Sequence, residues 1–241
     1  MQKILGYMRK AIQDYDLISN GDRVAVGVSG GKDSLVLLRG LQWLKRFIGI
    51  DYDLVCITLD PKFEGKTGDY SAIERMCAEL EIEYHLVPTR IGEIVFDVRK
   101  EKHPCSLCAK MRRGALHEST VQFGCNKLAL GHHFDDAVET FLMNLFIEGR
   151  IGCFAPKSYL SKRDITLIRP LALAPEKEVR RAARELELDI VKSKCPADGH
   201  TRREDMKNFI AEQNRLNQGF AERVFGAMKR ANIDGWGVES K

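Results

Sequence analysis

The feature that most restricts this chain is the hexapeptide Ser29-Gly30-Gly31-Lys32-Asp33-Ser34. It joins a short apolar run, Val24-Ala25-Val26-Gly27-Val28, to a segment of helical periodicity from about Asp33 to Phe47. Such a run reads as a strand buried on both faces of a parallel sheet. Two adjacent glycines let the backbone turn tightly and approach a ligand closely. The free amides and the helix dipole at the junction favour an anion. Ser29 and Ser34 add hydroxyl donors, and Lys32 adds a mobile positive charge. The spacing fits neither a Walker A loop, because Lys32 stands five residues after Gly27 where a glycine is required, nor the dinucleotide G-x-G-x-x-G. The plain structural alternative is a βα turn capped by Asp33 or Ser34.

The same alternation continues along the chain. Further strands are expected at 54–59, 84–87, 128–130 and 165–168, with a short one at Leu188–Val191. Helices are expected at 2–18, 33–47, 70–80, 136–146, 175–187, 202–213 and 217–230. This order predicts an α/β fold, a doubly wound parallel sheet with flanking helices. The expected organisation is an N-terminal helix (1–20), a nucleotide-binding domain carrying the cysteines (21–200) and C-terminal helices (201–241). Ligands of such sheets bind at the carboxyl ends of the strands, where the loop, Asp60 and Gly131 converge. Segments 61–69 and 149–164 read as mobile loops.

No stretch approaches the length of a membrane span, and the N-terminus shows no secretory apolar region, so a soluble, cytoplasmic chain with no membrane partner is expected. The net charge of +4 says little, but its distribution says more. Arg99, Lys100, Lys102, Lys110, Arg112 and Arg113 face a single acid, Glu101, and read as a nucleic-acid contact or a solvated helix face. A second group, Arg180, Arg181 and Arg184, is diluted by Glu176, Glu178, Glu185 and Glu187.

Seven cysteines in a cytoplasmic chain point to metal binding or catalysis rather than to disulfides. Cys105-Ser-Leu-Cys108 supplies two thiolates. Cys56, Cys77 and Cys125 sit in apolar segments and read as core residues. Cys195 lies outside any apolar periodic segment, and Lys192 and Lys194 beside it favour a thiolate. Three thiolates at Cys105, Cys108 and Cys195 suit an iron–sulfur cluster with one open iron. Zinc with His103, His200 or Cys153 as fourth ligand, or a redox pair, stays open. Gly131-His132-His133-Phe134-Asp135-Asp136 follows a strand and opens a helix. Asp136 with Glu139 has capping-box spacing. Asp135 is free to hold magnesium beside phosphates, and His132 either contacts the nucleotide or braces the loop.

These motifs, with Ala155-Pro-Lys157 before Ile168-Arg-Pro-Leu171, resemble the tRNA 2-thiocytidine synthetase (TtcA) family, within the PP-loop N-type ATP pyrophosphatases, over about residues 20–210. The resemblance implies an ATP- and Mg2+-dependent tRNA sulfurtransferase. Such an enzyme adenylates the C2 oxygen of a pyrimidine, here a cytidine in the anticodon loop, and replaces it with sulfur carried on a 4Fe-4S cluster. It implies ATP contacts from Ser29, Gly30, Gly31, Lys32, Asp33, Ser34, Asp60, Gly131 and His132. Catalytic roles fall to Asp33, Asp135 and Arg112, cluster ligation to Cys105, Cys108 and Cys195, and tRNA contacts to Lys110, Arg112 and Arg113. Partners are tRNA, a sulfur donor (a cysteine desulfurase or sulfide) and a second copy in a homodimer. The chain departs from the family in having the single Cys195 before Pro196 where well-known members have a second C-x-x-C. That resembles the third-cysteine site of 2-thiouridine enzymes, so uridine is the alternative base. A PP-loop amide-forming ligase would explain the loop but not the three cysteines.

Overall fold

The computed structural model describes residues 1–99, 104–191, 195 and 202–238. Among the described residues six strands form one sheet in the order β3-β2-β1-β4-β6-β5. They are β1 (Asp22–Gly27), β2 (Tyr52–Asp60), β3 (Glu83–Pro88), β4 (Lys127–Ala129), β5 (Lys157–Leu160) and β6 (Ile165–Ile168). All neighbours are parallel except β5, which runs antiparallel to β6 at the edge. The helices are α1 (Gln2–Asp14), α2 (Lys32–Leu44), α3 (Ser71–Glu79), α4 (Pro104–Gln122), α5 (Phe134–Phe146), α6 (Glu176–Glu185), α7 (Arg202–Leu216) and α8 (Phe220–Arg230). A π-helical turn, Glu93–Val98, precedes α4.

Strand alternation divides the core. Val24, Val26, Cys56, Ala129 and Ile168 face the larger side, packed under α1, α2, α5, α6 and α8. Ala25, Val55, Ile57, Leu128 and Leu167 face the smaller side, which Leu116 of α4 covers. On α1, Ile4, Met8, Ala11 and Ile12 are buried, the spacing of one helical face. The sheet centre is apolar on both faces, as parallel strands flanked by helices require. Among the described residues no helix is long and apolar enough to cross a membrane.

Three expectations need correction. Leu188–Val191 is not a strand: among the described residues it pairs with no strand, and Val191 N–H donates to the Gly30 carbonyl of the phosphate loop at 3.0 Å. Segment 149–164 is not simply a loop, because β5 closes a hairpin with β6 within it. The C-x-x-C lies in the first turns of the 19-residue helix α4, a span to which the periodicity assigned no helix. Pro104 suits that start, since a proline at the first helical position loses no bond the helix would make.

Candidate active site

The phosphate loop spans the end of β1 and the start of α2. Gly30 takes φ +84°, and a Cβ on it would lie 2.6 Å from that of Val191, so two independent constraints demand glycine. Gly31 caps α2 from an extended conformation. Ser34 Oγ donates to the Gly31 carbonyl at 3.0 Å and accepts the Ser29 N–H at 3.2 Å, which fixes the loop around its own hydroxyls. Lys32 Nζ is held at 2.9 Å from Glu176 and 3.1 Å from Asp33. Burial opposes ionisation of Glu176, but the bond and charge of Lys32 outweigh it and hold the carboxyl at about 2.

Beside this loop lies a cavity of about 790 Å³, within the usual range of ligand sites. Ser29, Gly31, Asp60, Tyr70 and Arg112 line it, with Leu188–Val191 as one wall. Segment 61–69 forms much of another wall. Asp60 is buried. Its Oδ1 accepts the Lys62 N–H at 3.1 Å and the Tyr70 hydroxyl at 3.4 Å.

On α4, Cys105, Cys108 and Arg112 follow helical spacing along one face, while Lys110, Arg112 and Arg113 are all exposed. Cys108 is buried against Ile91 and Val95. Burial raises its thiol pKa. Arg112 opposes that rise, and the nearby Cys195 and Cys105 add to it. The three cysteines therefore share one neighbourhood beside Arg112. Among the described residues no three His, Cys, Asp or Glu side chains are spaced to hold a metal ion as they stand. Cys153 lies apart: its thiol donates to the Ala137 carbonyl at 3.4 Å, and burial pushes its pKa up to about 11. Cys56 and Cys77 form a buried pair in the core. The expectations on Lys100, Lys102, His103, Lys192, Lys194, Pro196 and His200 lie outside the described residues.

On the β4 side, a Cβ on Gly131 would lie 3.1 Å from the Asp33 carbonyl carbon and 3.2 Å from the Ser34 nitrogen, so glycine lets the second loop sit on the first turn of α2. The expected capping box exists one turn earlier than read. His133 caps α5 by accepting the Asp136 N–H, and Asp136 accepts the His133 N–H at 2.9 Å. Asp135 has a structural bond of its own, accepting the Glu176 N–H at 2.6 Å at the start of α6. Sequence reasoning missed Arg203, which donates to Asp136 at 2.7 Å; Glu139, read only as the far end of a capping box, is buried within the same group. Nothing local marks Arg203, because helix–helix packing brings it there. In the second basic group, Arg180 pairs with Glu176 and Arg181 with Glu185.

Comparison with known proteins decides what this arrangement is. The PP-loop domain family matches residues 3–214. The tRNA-cytidine(32) 2-sulfurtransferase of Citrifermentans bemidjiense is 40% identical over 218 residues, covering 89% of this chain and 85% of that protein. That of Geobacter sulfurreducens is 37% identical over 230 residues, covering 94% and 89%. The chain belongs to the PP-loop family and, within it, to the tRNA-cytidine(32) 2-sulfurtransferases. Among solved structures, the U34-tRNA thiolase NcsA from Methanococcus maripaludis with its 4Fe-4S cluster superposes with a TM-score of 0.76 at 28% identity, covering 94% of this chain and 77% of that one. Family membership bears out the expected fold, a mostly parallel sheet flanked by helices, and accounts for a phosphate loop and a cysteine-bearing helix meeting at one cavity.

Proposed function

We propose that this chain uses ATP to activate the C2 oxygen of a tRNA pyrimidine, the cytidine at position 32 that its relatives' names specify, and exchanges that oxygen for sulfur. The observation that carries the reading is the placement of Arg112. It lines the cavity that Ser29 and Gly31 enter, and it stands one helical turn from Cys108, which neighbours Cys105 and Cys195. Activation chemistry and sulfur chemistry thus meet across one arginine.

The reaction balances simply. The pyrimidine oxygen attacks the α-phosphorus, the bond to the β-phosphate breaks, and pyrophosphate leaves. Sulfur at the sulfide level (HS−) then adds at C2, the C–O bond breaks with AMP as leaving group, and the sulfur gives up its proton. The amides of the loop hold the departing pyrophosphate. Lys32 exchanges Glu176 for the phosphates. Arg112 offsets charge on the transferred phosphorus. Asp33, which holds Lys32 Nζ at 3.1 Å, and Asp135 suit the magnesium that accompanies ATP. Cys105, Cys108 and Cys195 would hold a 4Fe-4S cluster, which supplies a soft site for sulfur; the donor set fits, being three thiols with Cys153 bound elsewhere. Lys110 and Arg113, exposed on α4, suit tRNA phosphates. A cytoplasmic location, a cysteine desulfurase or sulfide as donor, and a homodimer complete the proposal.

The test is anaerobic reconstitution of wild-type protein and of Asp33→Ala, Cys195→Ala and Cys153→Ala, measuring pyrophosphate, iron, acid-labile sulfide and thiolated tRNA nucleosides by mass spectrometry. Asp33→Ala should lose pyrophosphate release. Cys195→Ala should bind ATP but lose cluster and thiolation, and Cys153→Ala should keep both. Normal pyrophosphate release by Asp33→Ala overturns the activation step. Cluster loss in Cys153→Ala with retention in Cys195→Ala overturns the ligand set.

A further inference from the structure

Arg169 follows the last residue of β6, at the carboxyl edge of the sheet, and is only 7% exposed. A buried guanidinium ordinarily faces a carboxylate. Among the described residues none lies within 4.0 Å of this one. Its Nη1 donates to the Ala155 carbonyl at 2.5 Å and its Nε to His132 Nδ1 at 3.2 Å, both neutral acceptors, and among the described residues Nη2 has no acceptor. Phe154 lies against its cation at 4.8 Å. Burial pulls the guanidinium pKa down to about 10, the signature of a charge without a full counterweight.

His132 is half-buried beside it. Burial and the Arg169 charge pull its pKa down to about 4, so the ring is neutral near pH 7. Because Nδ1 accepts from Arg169, the ring proton sits on Nε2 as a second donor. The preceding residue, Gly131, touches the backbone of Asp33 and Ser34. The pair therefore abuts the phosphate loop on its β4 side, whereas the cavity opens on its β2 side.

We propose that Arg169 and His132 form a phosphate-binding site that takes a phosphate of one of the two substrates, the β,γ end of ATP or the tRNA backbone. The site rests on the ATP-dependent thiolation reading. A guanidinium held against an aromatic ring and bonded through Nε and Nη1 has its fork fixed in place, so the N–H groups of Nη2 are presented in one direction, as phosphate recognition requires. The competing role is a brace for residues 154–155, which the test must separate.

The experiment uses the full chain and the variants Arg169→Gln and Arg169→Lys. Calorimetry measures inorganic pyrophosphate, ATP and AMP, and a salt series measures tRNA affinity. If the phosphate belongs to ATP, Arg169→Gln should weaken pyrophosphate and ATP tenfold or more while AMP binds as before. If it belongs to tRNA, nucleotide binding should hold while the log–log salt slope falls by about one phosphate contact. In either case Arg169→Lys should recover part of the loss, because the charge returns without the fork. The site is overturned if Arg169→Gln binds all ligands as wild type does. It is also overturned if both variants lose thermal stability and weaken every ligand alike, AMP included, since that is the brace. Failure of the wild-type protein to bind ATP or pyrophosphate would instead remove the reading of the function itself.

Discussion

Gly30 connects chemistry to structure through one missing carbon. Its left-handed backbone and its contact with Val191 mean that Gly30→Ala must move the loop, the segment leading to Cys195, or both. The expected cost is of order 1–3 kcal/mol. ATP affinity and iron content should fall together, read by calorimetry and iron assay on the same preparation. Glu139 offers a prediction of the opposite sign. Burial pushes its carboxyl up to about 7, against the opposing charges of Lys207 and Arg203, and one of its oxygens has no hydrogen bond. The folded state therefore holds this proton more tightly than the unfolded chain does, and stability from this group is lost as pH rises from the ordinary carboxylate range to about 7. Glu139→Gln removes that ionisation. It should match the wild type near pH 4 and exceed it above pH 7, by about 1–3 kcal/mol. Urea unfolding at several pH values checks this, and a constant difference across the series would refute it.

At the level of elements, α4 carries the prediction about tRNA. Lys110 and Arg113 are exposed and offset from the Cys105–Cys108–Arg112 face, so their removal leaves the cavity wall intact. Replacing both with alanine should weaken tRNA binding uniformly and lower the salt slope by about two contacts, with ATP binding unchanged. An unaltered slope would make them a solvated face. The central strands and their helices were legible because each strand is a short apolar run between turn signals and each helix has one buried stripe. The helix α4 was not, since its burial is split between Cys108 over the turn at 93–98 and Leu116 over the sheet, with charge between them. The edge strand β5, with exposed Lys157 and Tyr159 alternating with partly buried Ser158 and Leu160, gives too short a pattern to read. Leu188–Val191 has strand composition, but its place after α6 puts it against the phosphate loop instead of a strand. The loop residues themselves were legible from backbone requirements alone, whereas Arg203, Glu139 and the bare charge of Arg169 depend on tertiary packing.

Across the whole molecule, the N-terminal helix, the sheet and the C-terminal helices contribute to one apolar core. Trp236, near the end of the described chain, is fully buried. It stacks edge-on against Tyr15 and Phe225, its indole N–H donates to the Phe154 carbonyl at 2.8 Å, and its carbonyl accepts the Tyr15 hydroxyl at 3.2 Å. Asp234 accepts the Cys153 N–H at 2.6 Å two residues before it. The tail thus pins α1, α8 and the segment that carries Phe154, the ring beneath Arg169. Trp236→Ala should cost about 3–5 kcal/mol, because it empties a large volume and leaves the Phe154 carbonyl without its donor. For a chain of this size that is a fall in Tm of roughly 6–20 °C. Since the three regions share a core, the loss should appear as one shifted transition in calorimetry, with helix content and tryptophan-free tertiary signals melting together. A separate low-temperature transition, with the sheet melting at the wild-type temperature, would show that the C-terminal helices unfold independently of the sheet.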